Sequence, residues 1–289
     1  MDKTPIEISA IVISFNGMEF LADCLESLKE DLEGRCHEVI VVDNGSTDGS
    51  TEFVRNRYPS FILIENNSNR GFAAAVNMGM RKARGDYLYV LNQDLRFRKG
   101  TIDQLLARMK MDPTIGLIGP KYIGFDGNTQ KSARGFPSYR HALYGLFRLH
   151  RLSPQSRELG HWPMTWFDHE TEAFVDQPMG AVMLIPRRVV ETIGYLDERF
   201  PIFFNDVDYC RRMMVAGFKR LYYPRAVVEH FVGGSTRKMR TKMLFVSRWS
   251  LYRYLNKYAK PQAQFFLSLV GLPIFLDLVY QLAVARTTH

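Results

Sequence analysis

Cysteine is scarce in this chain: Cys24, Cys36 and Cys210 are all there is, odd in number and far apart. No CxxC or Cys/His spacing points to zinc, and no disulfide framework is implied. Repeats and low-complexity tracts are absent, which excludes solenoids and arrays. No GxGxxG follows the first apolar strand and no GxxxxGKS/T occurs anywhere, which argues against dinucleotide dehydrogenases and P-loop NTPases. No nucleic-acid-binding module pattern is present either. Met1-Asp2-Lys3 leads almost directly into a strand, without signal-peptide architecture, so a reducing cytoplasm is the expected location.

What is present suits a folded enzyme. The 289 residues are 46% hydrophobic and 24% charged, enough to bury one large core and wrong for a disordered chain. Lys and Arg number 38 against 30 Asp and Glu, a formal +8 that favours polyanionic partners such as nucleoside diphosphates or anionic lipid. Eight of those cations lie between Arg237 and Lys260, a stretch without a single acid. A solvated helix face would mix both signs, so attraction to a membrane surface is the expectation there.

The first half alternates strand and helix. Apolar runs at Glu7–Ser14, Val39–Val42, Phe61–Ile64 and Tyr87–Leu91 read as buried strands, and Met18–Asp31 has helical spacing. This rhythm predicts an α/β domain with right-handed crossovers and a mostly parallel sheet. Later, Ile115–Gly119 and Lys121–Phe125 read as two short strands around Pro120, Met179–Ile185 as another, and Arg220–Tyr223 and Ala226–His230 as the last pair. Arg134–Phe174 is loop-like and dense in Arg, His and aromatics. Phe265–Ala285 is long enough to cross a bilayer, but Pro273, Asp277 and Gln281 interrupt it. A central Asp costs roughly 2.5–3.5 kcal/mol on insertion scales, so an interfacial or re-entrant helix is expected rather than a span.

In open α/β sheets ligands bind beyond the carboxyl ends of the strands. Those ends read Ser14-Phe15-Asn16, Asp43-Asn44-Gly45-Ser46, Asn69-Arg70-Gly71 and Asn92-Gln93-Asp94. Each segment alone has a plain structural explanation as a turn, and Asn205-Asp206-Val207-Asp208 could simply begin a helix. His161, Asp168, His169 and Glu170 form a further cluster, read as surface loop or acceptor contact before metal site.

Taken in order, IVISFNGMEFLADCLESL, VIVVDNGSTDGS, NNSNRGFAAAVNMGMRKARGDYLYVLNQD, GAVMLIPRRVVETIGYLDERF and FFNDVDYCRRMMVAGFKRLYYPRAVVEHFVGGS resemble glycosyltransferase family 2, in its rhamnosyltransferase-like branch. The resemblance spans Ile8 to Ser235. It implies a GT-A fold and inverting transfer of a sugar, plausibly rhamnose from a dTDP donor, to a lipid-linked saccharide. On matching positions it implies Asp43 as partner of the base, flanked by Ser14, Phe15 and Asn16, with Asn69 and Gly71 approaching from the next loop. Asn92, Gln93 and Asp94 stand at the DXD-like motif, so Asp94 would hold Mn²⁺ or Mg²⁺ against the diphosphate, with His230 as a second metal contact. Asp206 would be the catalytic base, Asp208 a second candidate, and Met179, Gly180 and Ala181 with Trp166 part of the acceptor side.

Two positions depart from the family pattern: Asn92-Gln93-Asp94 carries one carboxylate, and Asn205 replaces the acid usually before the base. A UDP- or GDP-dependent hexosyl- or N-acetylhexosaminyltransferase, or a weakened membrane-bound scaffold, therefore stay open as alternatives. The expected organisation is a GT-A domain over 1–236, divided into a nucleotide-sugar half (1–98) and an acceptor and catalytic half (99–236). Residues 237–289 would form amphipathic, basic and hydrophobic helices on the inner face of the membrane.

Overall fold

The structure, a computed structural model, describes residues 5–231 and 240–259 together with 271 and 274–276. In chain order the first half runs β1 (Ile8–Ser14), α1 (Met18–Asp31), β2 (His37–Asp43), α2 (Ser50–Arg57), β3 (Ile62–Glu65), α3 (Phe72–Lys82), β4 (Tyr87–Asn92), β5 (Leu95–Phe97) and α4 (Thr101–Met111). It continues through β6 (Ile115–Ile123), β7 (Ala133–Arg134), α5 (Tyr139–Leu146), β8 (Ala173–Phe174), β9 (Gln177–Pro178) and β10 (Val182–Pro186). The last elements are α6 (Arg187–Ile193), α7 (Asn205–Val215), β11 (Lys219–His230) and α8 (Arg240–Lys257).

The main sheet has the order β3-β2-β1-β4-β10-β6-β11-β5, with β8 pairing β11 at the side. β3, β2, β1 and β4 are parallel neighbours, as are β6 and β11, while β10 runs antiparallel between the two sets. β7 and β9 form a separate two-stranded ribbon. Strand period decides which face each side chain serves. Ile8, Ala10 and Val12 of β1 pack with α1, α2 and α4, whereas Ile11 and Ile13 pack with α3, α6, α7 and α8. Gly79 lets α3 lie directly on β1, since a Cβ there would sit 2.3 Å from Ile11 Cγ2.

The expected α/β class and mostly parallel sheet are observed, with three local differences. Pro120 does not divide the segment after α4 into two strands; β6 runs through it unbroken. Its missing N–H is accommodated because the register of β11 shifts between Tyr223 and Val227, opposite Pro120. That shift likewise joins the two expected last strands into one twelve-residue strand. β5 has only three residues, too few for a readable period, yet its antiparallel pairing His230↔Leu95 fixes the chain just after Asp94.

α8 joins the core it was expected to leave. Leu251, Tyr254 and Leu255 are buried in the same cluster as α3 and α7, and Tyr139 of α5 donates to the Leu255 carbonyl at 3.0 Å. Among the described residues no helix is long and apolar enough to cross a membrane. Phe265–Ala285 lies almost entirely outside those residues.

Candidate active site

The carboxyl ends of β1 and β4 are tied together by one side-chain amide. Gln93 Oε1 accepts from Ser14 Oγ at 3.0 Å and from the Phe15 N–H at 2.9 Å, while its Nε2 donates back to the Phe15 carbonyl at 2.9 Å. Gly17 permits this closeness, because a Cβ there would overlap the Gln93 amide at 2.0 Å. Asn16, at φ 45°, turns away to brace the loop after β2, accepting from the Thr47 N–H at 2.8 Å. Asp48 accepts from the Met18 N–H at 2.9 Å and so caps α1, whose own preceding residue, Gly17, has no side chain to do so.

At the end of β2, Asp43 Oδ1 accepts from the Gly45 and Ser46 N–H groups at 3.1 and 2.9 Å. Its other oxygen, Oδ2, is buried with no hydrogen-bond partner among the described residues. Such a group carries an unrecovered desolvation penalty and is rare in a native fold unless a ligand completes it. The neighbouring Asn44 is a hub that sequence reasoning passed over. It donates to Asn69 Oδ1 at 3.1 Å and to the Gly71 carbonyl at 3.3 Å, and accepts from Asn66 Nδ2 and the Arg70 N–H, both at 3.1 Å. The signal was there in an Asn directly after a strand-end Asp, but in sequence it read only as a turn.

These loops open on a cavity of about 460 Å³. Phe15, Asn44, Asn69, Asn92, Gln93 and Asp94 border it on one side, and Met179, Gly180, Ala181 and Asp206 on the other, with His230 between. Ser14, Asn16, Asp43 and Gly71 do not border it and act through the loops just described. Gln93 borders it, but the contacts with Ser14 and Phe15 give its amide a structural task.

Asp94 and His230 face each other, with Asp94 Oδ1 3.7 Å from His230 Nε2. Gln130 sets the histidine's tautomer: its Nε2 donates to the His230 carbonyl at 2.7 Å, and its Oε1 lies 3.0 Å from His230 Nδ1. An amide oxygen can only accept, so Nδ1 carries the proton and Nε2 turns a lone pair toward the carboxylate. Burial pulls the His230 pKa down to about 4, which keeps the ring neutral at neutral pH. A carboxylate oxygen and an imidazole nitrogen at this separation fit a cation held by two bonds of about 2.1 Å. Among the described residues no group of three His, Cys, Asp or Glu side chains gathers to hold a metal, so substrate or water oxygens would complete its shell.

Asp206 stands in the first turn of α7, entered through Phe204 in the left-handed region at φ 70°, a strained conformation of the kind that gathers at functional sites. Its Oδ2 accepts from Gln177 Nε2 at 2.5 Å and from the Gly180 N–H at 3.2 Å, and its Oδ1 from the Val207 N–H at 2.9 Å. Gly180 is required for this approach, as a Cβ there would meet Asp206 Oδ2 at 2.9 Å. One edge of Asp206 stays open to the cavity, yet burial raises its carboxyl pKa above the ordinary value despite those donors.

Two expected site residues lie elsewhere. Asp208 is fully buried on the other side of α7, bonded to Lys257 Nζ at 2.5 Å, Tyr258 OH at 2.8 Å and Arg212 Nε at 3.0 Å. It clasps the end of α8 and cannot serve as a second base, nor does it appear among the causes of the Asp206 shift. Trp166 packs with Phe167 under Arg157; the tryptophan that borders the cavity is Trp162. The His161–Glu170 cluster is dispersed. His169 Nε2 accepts the Ser132 and Ala133 N–H groups, both at 3.1 Å, and Glu170 pairs with Lys121 at 2.6 Å.

Comparison with known proteins follows the same lines. The sequence model of glycosyl transferase family 2 matches residues 9–169. The chain is 29% identical to an N-acetylglucosaminyl-diphospho-decaprenol L-rhamnosyltransferase of Mycobacterium tuberculosis, over 86% of this chain and 83% of that protein. A pre-mycofactocin glycosyltransferase of the same species is 28% identical over 66% of this chain and 37% of its own. Among solved structures, a mannosyltransferase of Pyrobaculum calidifontis in complex with GDP-Man and Mn²⁺ superposes with a TM-score of 0.60 at 18% identity, covering all of this chain and 79% of its own. TarS of S. aureus in complex with UDP gives a TM-score of 0.55 at 15% identity, covering 92% and 71%.

Because Asn44 joins the loop after β2 to the loop after β3 through four hydrogen bonds, Asn44→Ala should lower stability by about 2–3 kcal/mol. A urea midpoint within error of the unsubstituted protein would show that the loops hold without it.

Proposed function

The chain belongs to glycosyl transferase family 2 and has the GT-A fold, and from that premise we propose that it transfers a sugar, with inversion, from a nucleoside diphosphate sugar to a lipid-linked saccharide. The observation that carries this reading is the convergence of Asp94, His230 and Asp206 on one cavity. The same convergence speaks against the scaffold alternative.

On the donor side, Asp43 Oδ1 is occupied by its own turn and Oδ2 is buried behind Asn44, outside the cavity lining, so a base N–H reaches Oδ2 only when the loop after β2 moves aside on binding. One acceptor suits the single N–H edge of thymine or uracil better than the paired donors of guanine. Together with the similarity to a rhamnosyltransferase, this favours rhamnose on a dTDP carrier. Asp94 and His230 would hold Mn²⁺ or Mg²⁺, which when bound neutralises the charge that grows on the departing diphosphate. Asp206 takes the proton of the attacking acceptor hydroxyl, and the donors from Gln177, Gly180 and Val207 fix the carboxylate for that task. Met179, Gly180 and Ala181 border the acceptor side, opposite Phe15 and Asn69. The nucleotide half is assigned to 1–98 and the acceptor half to 99–236, with α8 completing the latter through Met243 and Ser247.

A lipid-linked acceptor places the enzyme at the inner face of the cell membrane. Supporting this, α8 exposes Phe245 and Trp249 one helical turn apart, amid the acid-free basic stretch, while its other face packs on the core.

Four outcomes are expected. Asp206→Asn should lower kcat by at least about a hundredfold with unchanged melting temperature; full activity would remove Asp206 as the base. A base works as the carboxylate, and its pKa is raised, so the rate should fall with decreasing pH at a higher pH than an ordinary aspartate, about 3.9, would give. An acid limb at or below that value contradicts the assignment. Asp94→Ala and His230→Ala should each weaken Mn²⁺ dependence of transfer, and metal titrations in both variants identical to that of the unsubstituted protein would place the ion elsewhere. Removing residues 238–289 should release the protein from anionic vesicles; because α8 is part of the core, Phe245→Ser/Trp249→Ser provides the folded control, and undiminished binding by both would dismiss the membrane site.

A further inference from the structure

Resting on the reading above, we infer that Arg134, with Lys131 beside it, forms a second anion subsite that takes the diphosphate of the acceptor rather than that of the donor. Arg134 borders the cavity in β7, directly opposite Gln177 in the antiparallel ribbon. Directly opposed residues project from the same face, with Cβ atoms about 4.5–5.5 Å apart. Gln177 is itself the residue that touches Asp206, at 2.5 Å. The guanidinium is therefore held beside the base.

Its bonding leaves capacity for a ligand. Among the described residues Arg134 donates one hydrogen bond, from Nη1 to the Pro163 carbonyl at 3.2 Å, and forms no ion pair within 4.0 Å. A guanidinium offers five N–H donors in a planar fork matched to phosphate oxygens. Burial also depresses its pKa, with the Asp206 carboxylate as the opposing influence, so the cation is partly desolvated. Lys131, exposed and on the same strip of chain, borders the cavity too.

The two ends of that strip separate the two anions. Gln130 is bound to His230 through both its amide oxygen and its amide nitrogen, which anchors the strip at the cation end. The Ser132 carbonyl accepts from the Met179 N–H at 2.8 Å, and four residues beyond Gln130 the chain reaches Arg134 at the base end. An acceptor of the kind named for the Mycobacterium relative carries its diphosphate on the sugar being modified. Once a hydroxyl of that sugar lies against Asp206, the diphosphate hangs about one sugar ring away. Two diphosphates in one cavity of about 460 Å³ repel each other unless each meets its own cation. Arg134 and Lys131 supply the second.

The test uses the full chain and two probes: a short isoprenyl diphosphate, titrated with thymidine diphosphate and Mn²⁺ present, and thymidine diphosphate alone with Mn²⁺. Arg134→Gln should weaken isoprenyl diphosphate binding at least tenfold and leave thymidine diphosphate within twofold, with Arg134→Lys intermediate and Lys131→Gln weaker by severalfold. In Arg134→Gln the KM for a diphosphate-linked acceptor should rise by at least about tenfold more than the KM for a neutral alkyl N-acetylglucosaminide, and an equal rise for both would count against the subsite. Equal loss for both probes, or undiminished isoprenyl diphosphate binding, overturns the subsite. Failure of the unsubstituted protein to transfer from any nucleotide sugar would instead count against the enzyme reading, since the binding comparison does not depend on turnover. Should Arg134→Gln not fold, Arg134→Lys and Lys131→Gln carry the same comparison.

Discussion

The two hydrogen bonds between Gln130 and His230 decide what the cavity can do. With Nδ1 protonated toward the amide, His230 presents a lone pair to Asp94 instead of a proton. Were the tautomer reversed, the pair would be an ordinary imidazole–carboxylate hydrogen bond and would have no need of a cation. The same glutamine begins the strip that leads past Ser132 to Arg134 and the ribbon bearing Gln177. One segment thus sets the spacing between the Asp94–His230 end of the cavity and the Asp206 end.

Asp206 and Asp208 show how helix geometry separates roles that spacing alone leaves open. Residues two apart on a helix point about 200° from each other. Asp206, at the helix start, meets the cavity; Asp208 meets Lys257 and Tyr258 of the C-terminal segment. A buried carboxylate with three charged or hydroxyl partners keeps α8 against the core, and α8 in turn places Met243 and Ser247 on the cavity wall. Its outer face, with Phe245 and Trp249, is turned the other way. The segment expected to be a membrane-associating tail therefore begins as part of the cavity wall.

Much of this was legible in the sequence, for identifiable reasons. β1, β2 and β4 announce themselves because they are buried on both faces and read as unbroken apolar runs, while the half-buried edge strand β3 is a shorter run of the same kind. Asp94 stands out because polar groups directly follow such a run, whereas Asp206, at the start of α7, is picked out only by the resemblance to the family. β5 and the β7–β9 ribbon were not readable, since two or three residues carry no period. For the same reason Gln130, Arg134 and Gln177, which depend on that ribbon for their placement, were invisible as site residues. Asn44 was hidden differently: its four partners lie in the one loop after β3, which only the fold brings beside it. Trp162 and Trp166 could not be told apart in sequence, since which ring meets the cavity depends on loop contacts such as the one between the Gly135 N–H and the Trp162 carbonyl at 3.0 Å.

If the cavity binds a nucleoside diphosphate through a cation held by Asp94 and His230, nucleotide and metal should stabilise the fold together. Melting temperatures measured with thymidine, uridine and guanosine diphosphates, each with and without Mn²⁺, address it most directly. A rise that requires Mn²⁺ and is largest for a pyrimidine diphosphate is the predicted result. No rise with any of the three in the presence of Mn²⁺, or an equal rise without the metal, would contradict it.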